Sequence, residues 1–187
     1  MILKRPMKID VHEGLRLELL DDEHAEALFR AVDANRNHLS TYLPWVNDMR
    51  SIADFYDYIK GCELLTLQGK EVSFVIIYNE VLVGRIGLHH INRQNKNAAI
   101  GYWLTANVQG KGIMLAACKA IISYGFQVAH LHRIEIKAAV ENLRSQAIPQ
   151  KLHFKKEGIL RQAELVNDRY LDLVLYALVK ADWLANK

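Results

Sequence analysis

The chain has 187 residues, 51% of them hydrophobic, which is about one domain's worth of sequence with enough apolar material for a sizeable core. Its formal net charge of +3 is too mild and too dispersed for a nucleic-acid footprint, although it favours anionic ligands or an acidic partner. Two cysteines, Cys62 and Cys118, lie far apart without a Cys-x-x-Cys pair, which argues against a disulfide framework and fits buried thiols in a reducing compartment. Along the first twenty residues charges interrupt the apolar positions every few places. They leave neither the apolar centre of a signal peptide nor a span of about 20 apolar residues, so a cytoplasmic protein with no membrane segment is expected. Residues 15–20, LRLELL, alternate like a strand. Asp21 and Asp22 then precede Ala25, Leu28, Phe29 and Val32 at helical spacing. Residues 35–45 carry Tyr42 and Trp45 and run through Pro44, as a short helix and loop offering an aromatic surface; a second helix is predicted over about 51–67.

From residue 72 the period changes to that of strands. VSFVIIY at 72–78, the turn Asn79-Glu80, VLVGRIGL at 81–88, a polar turn at 92–97 and AAIGYWL at 98–104 form an antiparallel meander. Ile113, Ala117, Ala120, Ile121, Tyr124 and Val128 follow at helical spacing, and RIEIKAAV at 133–140 returns to period two, so a crossover to a parallel neighbour is expected. A short helix from Leu143, a strand near 157–165, a turn at 166–169 and a final strand at 170–179 complete the chain. No repeat or linker divides it, so a single domain over residues 1–187 is expected, with its core at about 14–180.

The segment VQGKGIMLAAC at 108–118 joins the last meander strand to a helix, at the point where the sheet changes from antiparallel to parallel. Such a switch point opens a crevice. The first turn of a helix leaves about four N–H groups unpaired beside roughly half a positive charge. Gly110 and Gly112 let that backbone approach a ligand, and Lys111 adds charge, so a phosphate or pyrophosphate is the expected occupant. A P-loop does not fit: Thr105 stands where its first glycine belongs and Gly112 where its Ser or Thr belongs. A dinucleotide fingerprint does not fit either, since its third glycine falls on Leu115. The alternative is a pair of glycines that only turn the chain.

The loop QGKGI, residues 109–113, resembles the pyrophosphate loop of the GNAT superfamily of N-acetyltransferases, and the order of elements is similar over nearly the whole chain. The stretches NKNAAIGYWL, QGKGIM and RQAELVNDRY resemble more closely the RimJ/RimL branch, and within it the RimL-like ribosomal-protein-serine acetyltransferases. The resemblance implies an α/β (α+β) fold, a mixed, mostly antiparallel central sheet flanked by helices and splayed between the fourth and fifth strands. It also implies transfer of an acetyl group from acetyl-CoA to a primary amine with no metal. The pyrophosphate would sit on the backbone of Gln109, Gly110, Lys111, Gly112 and Ile113. The pantetheine would pair with the backbone of Tyr102, Trp103 and Leu104, and with Asn142. A bulge at Gly101 would aim an N–H at the thioester carbonyl; packing against the next strand is the other account of that glycine.

Many family members carry a general-acid tyrosine seven residues after the asparagine, and here that position is Pro149. The RimL-like branch implies Ser145 as the acid instead, with Tyr176 next in line, and Glu164 of RQAE as the base. Read from residue type alone, Asn142 is an N-cap, Ser145 a helix-end hydrogen bonder and Glu164 a solvated strand end. His153 replaces the family glycine that closes this helix. The acceptor implied is a protein N-terminus, serine on the acidic ribosomal stalk protein L7/L12. A small amine such as a polyamine or aminoglycoside, and a coenzyme A-binding module without turnover, are the competing classes. Relatives of the branch can be homodimers, but the sequence carries no interface signal. His89-His90 and the pair His130 and His132 lack companions at zinc spacing, so no metal is expected.

Overall fold

A computed structural model describes residues 8–186. An eight-stranded sheet runs in the order β1-β2-β3-β4-β5-β6-β8-β7. Its first hairpin joins β1 (Lys8–His12) to β2 (Leu15–Leu19) across Gly14, which takes φ +75°. β3 (Val72–Tyr78), β4 (Val81–Asn92) and β5 (Asn97–Leu104) continue the antiparallel meander. Asn79 and Glu80 both adopt positive φ, as the tight turn between β3 and β4 demands.

Helices cover both faces. Asp21 accepts the N–H of Glu23 and starts a short 3₁₀ turn that leads into α1 (Ala25–Asp33); α2 (Arg36–Leu39) and a 3₁₀ turn at Pro44–Asn47 follow. The helix α3 (Ile52–Leu67) opens with a capping box: the Ser51 hydroxyl accepts from the Asp54 N–H at 3.3 Å and Asp54 accepts from the Ser51 N–H at 2.7 Å. Leu28, Val32, Phe55 and Ile59 of this layer pack on Val75, Ile77, Leu82 and Trp103 of the sheet. On the other face α4 (Ile113–Gln127) lays Ile113, Ala117 and Ile121 against Phe74, Ile76, Ile86 and Ile100. With both faces covered, β3 is buried along nearly its whole length and reads as a continuous apolar run rather than an alternating one. Phe74 is fully buried and meets Tyr124 edge-on, with ring centroids 6.1 Å apart. Phe74→Ala is therefore expected to lower stability by about 3–5 kcal/mol, as read from the midpoint of a urea melt.

The sheet opens where β6 (Arg133–Ala139) joins it. β5 and β6 pair in parallel from Asn97 with Arg133 only as far as Ile100 with Ile136, although both strands continue. The expected splay is present; with β1 added at the N-terminal edge it separates the fifth and sixth strands. Beyond it come α5 (Leu143–Lys151), β7 (Lys155–Val166), β8 (Arg169–Val179) and α6 (Lys180–Ala185), with β8 placed between β6 and β7. His153 closes α5 at φ +60°, while the Phe154 N–H reaches back to the Pro149 carbonyl at 3.0 Å. The left-handed cap that a glycine makes most easily is thus kept by a histidine.

The bulge expected at Gly101 lies elsewhere. Gly101 pairs regularly with Gly87, and the irregularity sits in β4 between His89 and Asn92, where His90 takes φ +53°. A Cβ on Gly101 would stand 3.1 Å from the His89 ring, so this glycine makes room for a side chain of the neighbouring strand.

Candidate active site

The splay leaves Gly101, Tyr102, Trp103 and Leu104 paired with β4 on one side and, among the described residues, with no strand on the other. Alternate backbone groups of a strand face each neighbour, so this stretch presents donors and acceptors to the gap, which an extended ligand can fill as a strand would. The Trp103 side chain is buried in the layer under α1 and α3; Tyr102 and Leu104 point to the α4 side. Tyr102, Trp103 and Leu104 thus offer a ligand their backbone.

At the end of β5 the chain turns through a 3₁₀ segment, Ala106–Val108, into the loop. Gly110 and Gly112 take φ +77° and +79°, and Gly112 is the N-cap of α4. Both glycines are used to turn the chain, but a Cβ added to either would meet nothing within 4 Å. Space above them is open to a ligand. Among the described residues no backbone acceptor serves the N–H groups between that of Gln109, bonded to Ala106 O, and that of Ala116, bonded to Gly112 O. This row of free donors at the positive end of a 15-residue helix suits a di-anion. Lys111 is exposed beside it, and Ile113, 2% exposed, roots the helix in the core. The Gln109 side chain spans the crevice: its Nε2 lies 2.7 Å from His38 Nε2, and its Oε1 accepts from Arg144 Nη1 at 2.8 Å. Sequence reading missed His38 and Arg144. A signal existed for Arg144, since a cation in the first turn of a helix opposes the dipole and needs a partner from outside it.

Asn142 caps α5, its Oδ1 accepting the Ser145 N–H at 3.1 Å. The half-buried Ser145 sits in the first turn, and its carbonyl and hydroxyl lie 3.0 and 3.1 Å from the Tyr102 hydroxyl. Burial pushes the Tyr102 phenol up, against the smaller opposing effect of its bond to Ser145. Tyr176 is differently placed. It is 2% exposed, donates to Gln146 Oε1 at 3.0 Å and accepts from Gln150 Nε2 at 3.1 Å, so its hydroxyl is occupied under α5.

Glu164 lies on β7 just after a bulge, opposite Leu171 of β8. Cross-strand partners share a face of the sheet, which puts Glu164 with Leu171, Leu173, Lys137 and Ala139, where Tyr42 packs. This is the α1 side, opposite to Ser145; the two residues address one another only through the gap. Glu164 is half-buried, and among the described residues no hydrogen bond reaches its carboxylate. Burial raises its pKa above the usual carboxylate value, with Lys137 opposing. The hairpin carrying it is tied to the aromatic segment: Asn167 donates to Ser40 O at 2.9 Å and accepts from Asn47 at 2.8 Å. Beyond it Trp45 meets Trp103 at 6.4 Å between ring centroids, in a pocket that Met49, Tyr58 and Arg85 also line. Arg85 reaches Glu71 at 2.8 Å and His89 reaches it at 3.0 Å. Burial works against ionising Glu71, but His89, Arg85 and Ser73 outweigh it and hold its pKa near 2. Among the described residues no group of three His, Cys, Asp or Glu side chains is placed to hold a metal ion, and no helix is long and apolar enough to cross a membrane.

The site therefore joins a free-donor loop, a strand edge open to an extended ligand, a serine on one face and a raised carboxylate on the other. Comparison with known proteins gives the family of the chain. The family model described as acetyltransferase (GNAT) domain matches residues 14–155. A ribosomal-protein-serine acetyltransferase of Escherichia coli is 34% identical over 171 residues, 91% of this chain and 96% of that protein. The structure of RimL, the ribosomal L7/L12 alpha-N-protein acetyltransferase, in complex with coenzyme A superposes with a TM-score of 0.90 at 31% identity, covering 94% of this chain and 99% of that one. The microcin C7 self-immunity acetyltransferase MccE, in complex with acetyl-CoA and AMP, superposes with a TM-score of 0.88 at 28% identity, covering 96% and 99%.

Proposed function

We propose, for a chain that belongs to the GNAT family of acetyl-CoA-dependent N-acetyltransferases, that its acceptor is the N-terminal α-amine of a protein, serine on a ribosomal stalk protein of the L7/L12 kind. The observation that carries the reading is the placement of Glu164: a half-buried carboxylate with no hydrogen bond among the described residues, on the face of the gap that the aromatic segment covers. The identity to a ribosomal-protein-serine acetyltransferase supports the choice of acceptor. In this reading the pyrophosphate of acetyl-CoA rests on the backbone of Gln109, Gly110, Lys111, Gly112 and Ile113. The pantetheine runs along Tyr102, Trp103 and Leu104 past Asn142, and the thioester reaches the gap. An α-ammonium with a pKa near 7.7 to 8.0 gives a proton to Glu164, directly or through one water. The amine nitrogen then attacks the thioester carbon, the C–S bond breaks, its electron pair goes to sulfur, the Ser145 hydroxyl donates to the departing thiolate, and the second proton shed by the acylated nitrogen returns to the Ser145 oxygen by way of water. The reading includes a single domain over the whole chain, with a core at about residues 14–180, working in the cytoplasm. The strands β7 and β8 extend the matched region's sheet beyond residue 155, which supports that domain.

The likeness to a self-immunity enzyme that holds AMP favours one other acceptor class, a small amine. A panel of a Ser-starting peptide, an intact stalk protein, spermidine, an aminoglycoside and an amine linked to AMP separates the two by kcat/KM. The peptide and the stalk protein are expected to lead. Because steering of an acidic protein by a chain of charge +3 is screened over about 8 Å at physiological salt, added salt should raise KM for the stalk protein more than for a short neutral peptide with the same first residues. A much higher kcat/KM for any of the small amines overturns the protein-acceptor reading and leaves the coenzyme site standing.

A further inference from the structure

In a regular α-helix the Ser145 carbonyl would accept the N–H of the residue four positions on. That residue is Pro149, which has none, although α5 continues through it to Lys151. The Tyr102 hydroxyl stands 3.0 Å from that carbonyl and 3.1 Å from the Ser145 hydroxyl. A carbonyl can only accept, so the phenolic proton goes to it, and the contact between the two hydroxyls leaves Ser145 as donor and Tyr102 as acceptor. Tyr102 comes from β5, within the stretch that lacks a strand on its gap side; Ser145 comes from α5, held at its N–H by Asn142.

We propose that Tyr102 is the positioning residue for Ser145: its hydroxyl takes the place of the N–H that Pro149 lacks, and so fixes the serine relative to the strand edge along which the coenzyme arm would lie. This rests on the reading of Ser145 as the donor to the departing thiolate. One residue then sets both distances that matter, since its backbone meets the arm and its side chain holds the serine. The pair also has a second hydrogen-bond arrangement. When the Ser145 proton turns toward sulfur, Tyr102 can swing its own proton from the Ser145 carbonyl to the Ser145 oxygen, which supports the serine as negative charge develops on it. Burial keeps the phenol protonated, so Tyr102 acts as a donor to Ser145 and the proton that sulfur receives is the serine's.

The test uses the full chain with acetyl-CoA and the preferred acceptor. Tyr102→Phe keeps the ring and removes the hydroxyl. It is expected to lower kcat about 5- to 10-fold, the worth of one hydrogen bond, with KM for acetyl-CoA and the melting temperature close to those of the parent. Adding Pro149→Ala returns an N–H to the Ser145 carbonyl, and the double variant should recover most of the lost kcat. A purely structural tyrosine would not show this split between kcat and KM, nor a rescue from the far side of a helix turn. Parent-rate turnover by Tyr102→Phe, with Ser145→Ala depressed, overturns the inference and leaves Ser145 in its role. A depressed Tyr102→Phe that Pro149→Ala does not rescue overturns the carbonyl anchor. If Ser145→Ala itself turns over at the parent rate, the reading of Ser145 falls, and the positioning of it falls with it.

Discussion

Glu164→Gln is expected to lower kcat by about 10²- to 10⁴-fold, the usual contribution of a positioned general base, while coenzyme affinity measured by calorimetry stays at the parent value. The amide keeps the shape and the cross-strand neighbour Leu171 and removes the proton acceptor. The pH profile carries a second signature. Burial raises the carboxyl's pKa above its ordinary value, so the base is lost as pH falls through that raised value, while the α-ammonium that gives it a proton is the form present below about 7.7 to 8.0. The parent's log(kcat/KM) should therefore fall with slope one only below the raised carboxyl pKa, whereas Glu164→Gln, which needs an amine already free, should fall with slope one from about 7.7 to 8.0 downward. The sign for stability is opposite. A carboxyl whose folded pKa is raised contributes most in its protonated form, below the unfolded pKa, and that contribution is lost as pH rises through the folded value. Above that folded value the ionised Glu164 is thus a burden on the fold, and there the glutamine variant should melt no lower than the parent. Parent-rate turnover by Glu164→Gln at neutral pH would reassign the base.

The parts of this site that sequence alone exposes are those written in backbone chemistry. Two glycines at a strand-to-helix junction, Asn79-Glu80 between apolar runs and Asn142 before a short helix each state a local conformation, and each is found at its place. β1 escaped the reading because it is an edge strand with only Ile9 and Val11 partly buried, too weak an alternation to register against its charges. The resemblance implies a bulge at Gly101, where a glycine inside a strand is compatible with one. The true bulge uses His90 at positive φ, a residue type that gives no such hint, while Gly101 serves the His89 ring. The environment of Glu164 is not legible either: the face of the sheet it shares with Leu171 brings Leu173 and Tyr42 together from segments more than a hundred residues apart. The same holds for Tyr102 and Ser145, 43 positions apart, although Pro149 alone already announces a carbonyl in need of a donor.

Gly112→Val is expected to weaken coenzyme A binding by about 10- to 100-fold, the loss of one charge-assisted hydrogen bond at about 1.5–3 kcal/mol. Two effects combine at this residue. At φ +79° a β-branched side chain is strained, at a cost of about 1–3 kcal/mol, which the α4 N-terminus can relieve by turning its N–H groups away from the ligand. The side chain itself meets no protein atom near its Cβ, so it projects into the open space that the phosphates would take. The fold should survive, because Ile113, Ala117 and Ile121 hold α4 to the sheet on the far side. Calorimetry with coenzyme A reads the loss, and S-acetylpantetheine, which lacks the pyrophosphate, separates the causes. Its turnover should match the parent's in Gly112→Val, since Tyr102, Trp103 and Leu104, which would hold its arm, lie on the other side of the loop. Equal loss toward both ligands would mean that the variant disturbs the strand edge or the whole helix, and undiminished affinity for coenzyme A would remove the pyrophosphate from this loop altogether.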